Sequence, residues 1–353
     1  MSNSKIEWTQ KTWNPTVGCT KVSAGCKECY AMKMAWRHIH NPKTKKDYEG
    51  TVMKTENGEI NWTGKINLLH ERLQEPFSWK KPTIVFVDSM SDLFHADVPD
   101  EYIAKVFAIM ALCPQHIFQI LTKRPDRMLH FLTLNNEDFA LLMENAIYEM
   151  GLSENEDADV DTLACKVYNY SGNNFPLPNV WLGVSVENQK EADERIPLLI
   201  RTPAAKRFLS CEPLLGNIDL DNLNALYKTE GKMVASLWHY LIDWVIAGGE
   251  SGSNARPMHP EWVRSLRDQC TRAAVPFFFK QWGEYRPHEE WLLTKRADRF
   301  KREMIWLDYE GKTLEDADLK TVKGRNMILI MKDGKHNAGR LLDGKEWNEM
   351  PEK

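Results

Sequence analysis

Six short apolar runs, rich in β-branched and aromatic residues, recur along the chain: 83–87, 117–121, 180–184, 207–210, 244–247 and 275–279. Near-continuous runs of this kind suit parallel strands buried on both faces. Their starts leave intervals of 34, 63, 27, 37 and 31 residues. A βα unit takes about 30 residues, so four intervals hold one unit each and the long one carries an insertion. Helical patterns lie between the runs. Ile103, Val106, Phe107 and Met110 keep the i, i+3, i+4, i+7 spacing and predict a helix over 100–112, stopped by Pro114. Pro260 suits the first turn of a second helix over 260–272, whose buried stripe is Trp262, Val263, Leu266 and Cys270. A third covers 188–200. This alternation predicts an α/β fold with a parallel sheet, either open or closed into a barrel.

Three stretches break the repeat. Residues 41–66 read as a β-hairpin turning at Asn57-Gly58. Residues 133–179 carry a helical pattern from Phe139 to Tyr148, an acidic patch (Glu154, Glu156, Asp157, Asp159, Asp161) and a Gly/Asn/Pro loop. Residues 296–353 read as a small β-rich appendage in which Met327–Met331 turns at Asp333-Gly334. The expected organisation is therefore a barrel over 1–295, with insertions at 41–66 and 133–179, and the appendage at 296–353. The net charge of −4 over 353 residues supplies no global positive field toward nucleic acid or anionic lipid. No run of 18 apolar residues occurs and the start does not read as a signal peptide, so a cytoplasmic protein without a membrane span is expected.

Seven cysteines form an odd count, which argues against a disulfide framework. Three of them, Cys19, Cys26 and Cys29, fall within eleven residues as C-x6-C-x2-C. Soft thiolates gathered in one loop are ligands for an iron–sulfur cluster or for zinc. Gly18 and Gly25 let the backbone bend round such a group. Three thiolates leave one iron of a 4Fe–4S cluster open, whereas structural zinc takes four protein ligands. His38 and His40 are available as a fourth zinc ligand, but on a helix His38 would stand about 13 Å from Cys29. Cys113, Cys165 and Cys270 read as buried thiols, and Cys211 as a small core residue at a strand end.

Three cysteines in an N-terminal loop followed by repeated βα units resemble the radical S-adenosylmethionine (SAM) superfamily. More closely, Trp13–Cys19 with Cys26–Tyr30 resembles the phage and prophage family with a three-cysteine motif. The segments 88–95, 121–125, 210–213, 247–252, 280–283 and 338–344 are similar to that family as well, so the likeness spans nearly the whole chain. Two features depart from the superfamily pattern. The first cysteine gap holds six residues in place of the usual three, and the aromatic Tyr30 follows the last cysteine instead of preceding it. The glycine-rich segment Gly248-Gly249-Glu250 also comes late in the chain, with Ser89–Asp92 in the earlier place.

The resemblance implies a (β/α) barrel of radical-SAM type, partial or complete. It also implies a 4Fe–4S cluster on Cys19, Cys26 and Cys29, and reductive cleavage of SAM to a 5′-deoxyadenosyl radical. An electron donor such as flavodoxin and a separate three-Cys-motif partner protein are implied too. A layout similar to spore photoproduct lyase makes nucleic acid a candidate substrate.

Independently of family, polar residues cluster where the runs end. In parallel α/β folds ligands bind at the carboxyl ends of strands. The expected cofactor-binding rim is Ser89, Ser91, Asp92, Lys123, Arg124, Ser185, Glu187, Glu212, Gly248, Gly249, Glu250 and Lys280. Glu212 and Glu250 suit a ribose or amino group, and Lys123 and Arg124 an anion. The alternative is a zinc-stabilised phage scaffold or nucleic-acid-associated protein, using basic strips at Lys43, Lys45 and Lys46 and at Arg296, Arg299, Lys301 and Arg302.

Overall fold

A computed structural model describes residues 4, 6–152, 176–223, 238–288, 303–314 and 327–352. The acidic patch, Cys165 and the basic strip at 296–302 lie outside the described residues. All six runs are strands. With one further strand they are β1 (Lys11–Trp13), β2 (Ile84–Val87), β3 (Ile117–Thr122), β4 (Val180–Ser185), β5 (Lys206–Cys211), β6 (Trp244–Gly248) and β7 (Phe277–Gln281). β1 escapes sequence reading because Lys-Thr-Trp is too short and too polar to make an apolar run.

The seven strands are hydrogen-bonded in chain order, β1 to β7. The β1–β2, β2–β3, β3–β4, β5–β6 and β6–β7 pairs are parallel. Doubly wound folds reverse their strand order at a switch point. This sheet does not reverse, and its first and last strands are not neighbours. The winding is compatible with a partial (β/α) barrel, and among the described residues the sheet does not close on itself.

The crossovers follow the expected periodicity. α1 (Tyr30–Ile39) follows the three-cysteine segment and buries Ala31, Met32 and Ala35. α2 (Asp100–Leu112) places Asp100 and Glu101 in its first turn, where the helix dipole favours negative charge. It buries Ile103, Val106, Phe107 and Met110, each worth about 1.5–3 kcal/mol on removal from water. α3 (Pro125–Leu132) and α4 (Asn136–Glu149) lie in the long interval. α5 (Gln189–Arg201) links β4 to β5. α6 (Pro260–Ala273) starts where the His259 ring accepts from the Glu261 amide, and stops where Ala274 turns left-handed at φ 54°. The hairpin of 41–66 pairs Val52–Lys54 with Ile60–Trp62 across Gly58, whose φ is +77°.

The appendage is a four-stranded antiparallel sheet. Its strands are β8 (Tyr285–Pro287), β9 (Met304–Asp308), β10 (Thr313–Leu314) and β11 (Met327–Lys332), in the order β8-β11-β9-β10. Tyr285, Ile305, Leu307 and Ile330 close its core with Ala255. Near the chain end, the amide of Phe279 donates to Trp347 O (2.9 Å) and that of Glu349 to Phe277 O (3.2 Å). These bonds cover the outer edge of β7, which would otherwise offer unpaired backbone groups.

By packing, the chain divides into two compact units. One comprises Met1–Val22, Ala31–Val184 and Leu198–Arg207; the other comprises Ser23–Tyr30, Ser185–Pro197 and Phe208–Lys353. Among the described residues no helix is long and apolar enough to cross a membrane.

Candidate functional site

In the first unit the chain leaves β1 at Trp13 and is drawn beneath the carboxyl end of β2. Asn14 Oδ1 accepts from the Met90 amide (3.1 Å) and from Ser89 Oγ (3.0 Å), and Ser91 Oγ donates to Gly18 O (2.7 Å). The Thr16 amide donates to Asp88 Oδ1 at 3.0 Å. Gly18, at φ +101°, is the position where only glycine fits, since a Cβ there would meet Lys65 O at 2.1 Å. Ser89 and Ser91 thus hold the approach to the cysteine segment.

Cys19 follows, half-buried. Its anchor is an ion pair between Arg124 and Asp92 (2.8 Å). Asp92 Oδ1 accepts from Thr122 Oγ1 (2.7 Å) and the Phe94 amide (3.1 Å), while Oδ2 accepts from the Lys123 amide (3.0 Å) and Arg124 Nη1. All four acceptor positions of that carboxylate are taken by the chain. Arg124 turns further donors on the cysteine segment: Nη2 donates to Thr20 Oγ1 (2.6 Å) and Thr20 O (3.2 Å), and Nη1 reaches Cys19 Sγ at 3.9 Å. His95 completes the cluster, with Nε2 2.9 Å from Thr20 Oγ1 and Nδ1 accepting from the Asp97 amide. Burial, reinforced by the charge of Arg124, lowers the pKa of His95, which keeps the imidazole neutral. A fixed guanidinium beside a sulfur is an environment that favours thiolate chemistry.

Asp88 lies under this anchor. Non-glycine φ values near its +56° are uncommon, and aspartate is among the residues that tolerate them. Its Oδ2 is buried without a partner. Burial raises its pKa to about 8, against the hydrogen bonds from Thr16 and with the charge of Asp92 adding to the rise. The fold therefore favours the protonated form of its carboxyl.

In the second unit, Cys26 (buried) and Cys29 (half-buried) sit on a segment held by the chain just beyond β4. Ser23 Oγ donates to Glu187 Oε1 (2.8 Å) and stands 3.8 Å from Cys26 Sγ. A Cβ on Gly25 would meet that same carboxylate oxygen at 2.4 Å, so glycine is required for the close approach. Arg195 Nη1 donates to Glu187 Oε2 (3.0 Å) and to Ser185 O (2.7 Å), with side-chain exposures of 7 % for Arg195 and 0 % for Glu187. Charges this deep persist only when paired.

Beyond the adjacent ends of β5, β6 and β7, Glu212 pairs with Lys280 at 3.2 Å. Glu212 Oε1 lies so near Gly248 that a Cβ there would stand 2.6 Å away, and at Gly249 a Cβ would strike Trp282 O at 1.9 Å. Glu250 is spent on Arg256: Oε2 accepts from its amide and Nε, each at 2.8 Å, and Oε1 from Nη2 at 2.6 Å. Of the two glutamates expected to meet a ligand, Glu212 is the one at the Gly248 edge.

The expected rim is therefore gathered locally, and much of it grips the cysteine segment. Sequence reading does not assign Thr20, His95, Arg195 or Arg256 to the site, whereas Thr122 falls with Lys123 and Arg124 in the polar cluster after the second run. Arg195 sits mid-helix in a charged stretch, and only the fold brings it to Glu187. His38 is engaged elsewhere, with Nδ1 3.1 Å from Thr44 Oγ1 and its ring stacked on Tyr48 at 4.4 Å. Cys113, Cys211 and Cys270 are buried. Lys43, Lys45 and Lys46 are exposed around the short helix Lys45–Tyr48. Among the described residues, no three His, Cys, Asp or Glu side chains are arranged as a metal-binding group.

No curated protein and no solved structure matches the chain. A family model spans residues 3–351, so the chain belongs to the family described as "Protein of unknown function (DUF5131)".

Proposed function

We propose that this chain is a radical-SAM-like enzyme in which Cys19, Cys26 and Cys29 hold a 4Fe–4S cluster. The observation that carries the reading is the investment in the cysteine segment. The half-buried Arg124–Asp92 pair fixes the Cys19 end, and the buried Arg195–Glu187 pair fixes the Cys26 end. A segment with only a packing role needs neither. The parallel sheet, wound in chain order, is compatible with the partial barrel that the resemblance implies and so supports the reading.

By residue type the donors suit the group, since three soft sulfurs on one short segment would hold an iron–sulfur cluster and leave one iron for a small ligand. Among the described residues their side chains are not gathered as a metal-binding group, so binding would have to draw them together. When bound, the cluster would supply one electron for reductive cleavage of SAM. The chain's own part is to place and polarise. Arg124 sets positive charge beside Cys19 Sγ, and Ser23 ties Cys26 to Glu187. Glu212, braced by Lys280 against Gly248, would accept from a ribose or amino group of the cosubstrate. Flavodoxin-type reduction, nucleic acid as substrate and a three-Cys-motif partner remain part of this proposal.

Metal binding is coupled to the ordering of its ligands, so the test loads the metal. Anaerobically reconstituted protein should hold about four iron and four sulfide per chain. The Cys26→Ala variant should lose most of both. With dithionite and SAM the loaded protein should release 5′-deoxyadenosine. About one zinc without sulfide would overturn the proposal in favour of the zinc-stabilised scaffold.

A further inference from the structure

A groove at the amino-terminal end of the first strands plays no part in the cysteine chemistry. It lies in the first unit, where β1 begins at Lys11 and the chain enters β2 through Lys80-Lys81-Pro82-Thr83, and its volume is about 760 Å³. Three lysines, Lys11, Lys80 and Lys81, line it, and among the described residues no acidic side chain does. Among the described residues none of the three is in an ion pair.

The surroundings do not neutralise them. Lys11 Nζ is held 5.4 Å from the centre of the Trp79 ring, which forms part of the wall. Behind Trp79, at 5.5 Å, lies His116, whose pKa is lowered chiefly by burial, against hydrogen bonds to the backbone of Pro76 and Trp79. An imidazole supplies no negative charge in either protonation state. Glu75, raised in pKa by burial, has Arg72 as its opposing charge, while the like charge of Asp47 adds to the rise. The Trp79 indole N–H is buried without an acceptor. In a chain of net charge −4, three uncompensated ammonium groups round one concavity are a local positive field that keeps its cost unless an anion relieves it.

We propose that this groove binds a phosphate-bearing ligand of nucleotide size through Lys11, Lys80 and Lys81. Lysine is a point-charge partner for phosphate, and the volume lies in the range of small-molecule sites, well above what a lone phosphate fills. The phosphate has two sources, a free nucleotide or the backbone of a single-stranded nucleic acid. The proposal stands apart from the cysteine reading, and either can fail alone.

The test is anisotropy of a labelled short oligo(dT), with ADP as competitor and as a separate calorimetric ligand, on the full chain at about 50 mM salt. Oligo(dT) affinity should fall with salt at a log–log slope of about −2, since each single-strand phosphate contact contributes about 0.7. The double variant Lys80→Glu/Lys81→Glu should weaken binding at least tenfold, and Lys11→Gln severalfold, with unchanged melting temperature. Binding of oligo(dT) that ADP does not displace assigns the backbone as source, and binding of ADP alone assigns the free nucleotide; both support the site. The proposal is overturned if neither probe saturates, or if the variants leave affinity unchanged. Should the double variant melt early, Lys11→Gln decides in its place.

Discussion

The two ends of the cysteine segment are held by the same device with the charges exchanged. At Cys19 the cation faces the segment: Arg124 reaches Thr20 and the sulfur, while Asp92 stands behind it and is saturated by backbone and side-chain donors. At Cys26 the anion faces the segment: Glu187 takes Ser23 and presses on Gly25, while Arg195 stands behind. The second pair is the more deeply buried, with 0 % exposure at Glu187 against 7 % at Asp92. A partly open guanidinium can respond to charge arriving at the sulfur, whereas a sealed carboxylate serves to position. The contrast assigns electrostatics to the first anchor and placement to the second.

The contrast can be broken most forcefully at Glu187. Glu187→Ala strands Arg195 in the interior and should destabilise the chain by about 3–5 kcal/mol, read by urea denaturation. A loss below about 1 kcal/mol would mean that the second anchor is not a buried pair in solution.

Asp88 sharpens the first anchor through pH. Its folded pKa of about 8 lies above the ordinary carboxyl value, so between about pH 4 and 8 the folded chain holds a proton that the unfolded chain has released. The group's contribution to stability is full below that window, falls as pH rises through it and is lost above pH 8, at up to about 1.4 kcal/mol per pH unit. Asp88→Asn keeps an acceptor for the Thr16 amide and tolerates a left-handed backbone. It should flatten the stability profile between pH 5 and 8. An unchanged slope would show that Asp88 is ionised in the folded chain.

The smallest effect is expected at Arg124. Arg124→Lys keeps the charge but loses the fork that joins Asp92, Thr20 and Cys19, at about 1–2 kcal/mol. With the guanidinium no longer held beside its sulfur, Cys19 should then be alkylated more slowly, followed by mass spectrometry, with the rate at Cys26 unchanged. Equal slowing at both sites would mean that the two anchors do not act separately.

Much of the scaffold was legible because it rests on local periodicity. The run at 117–121 and the stripe of Ile103, Val106, Phe107 and Met110 each state their own secondary structure, and the strand–helix alternation states the parallel sheet. β1 was hidden because its three residues carry no pattern, and its strand character comes from pairing with β2. The site was legible as residue types at strand ends but not as partnerships. Glu250 reads as a ligand group, yet Arg256 occupies it. Glu187 reads as a rim acid, yet its partner lies on the helix after it, and the segment it grips is more than 150 residues away in sequence.

The order of chemical groups along the chain therefore determined the alternating scaffold, the thiol trio and the polar strand ends, because backbone periodicity and soft-ligand chemistry are local properties. The tertiary structure alone decided that the sheet stays open, which carboxylates are spent on internal arginines, and that three lysines share one groove. Those outcomes depend on burial and on distances between residues far apart in sequence, and desolvation makes an ion pair obligatory only once the fold has closed over it.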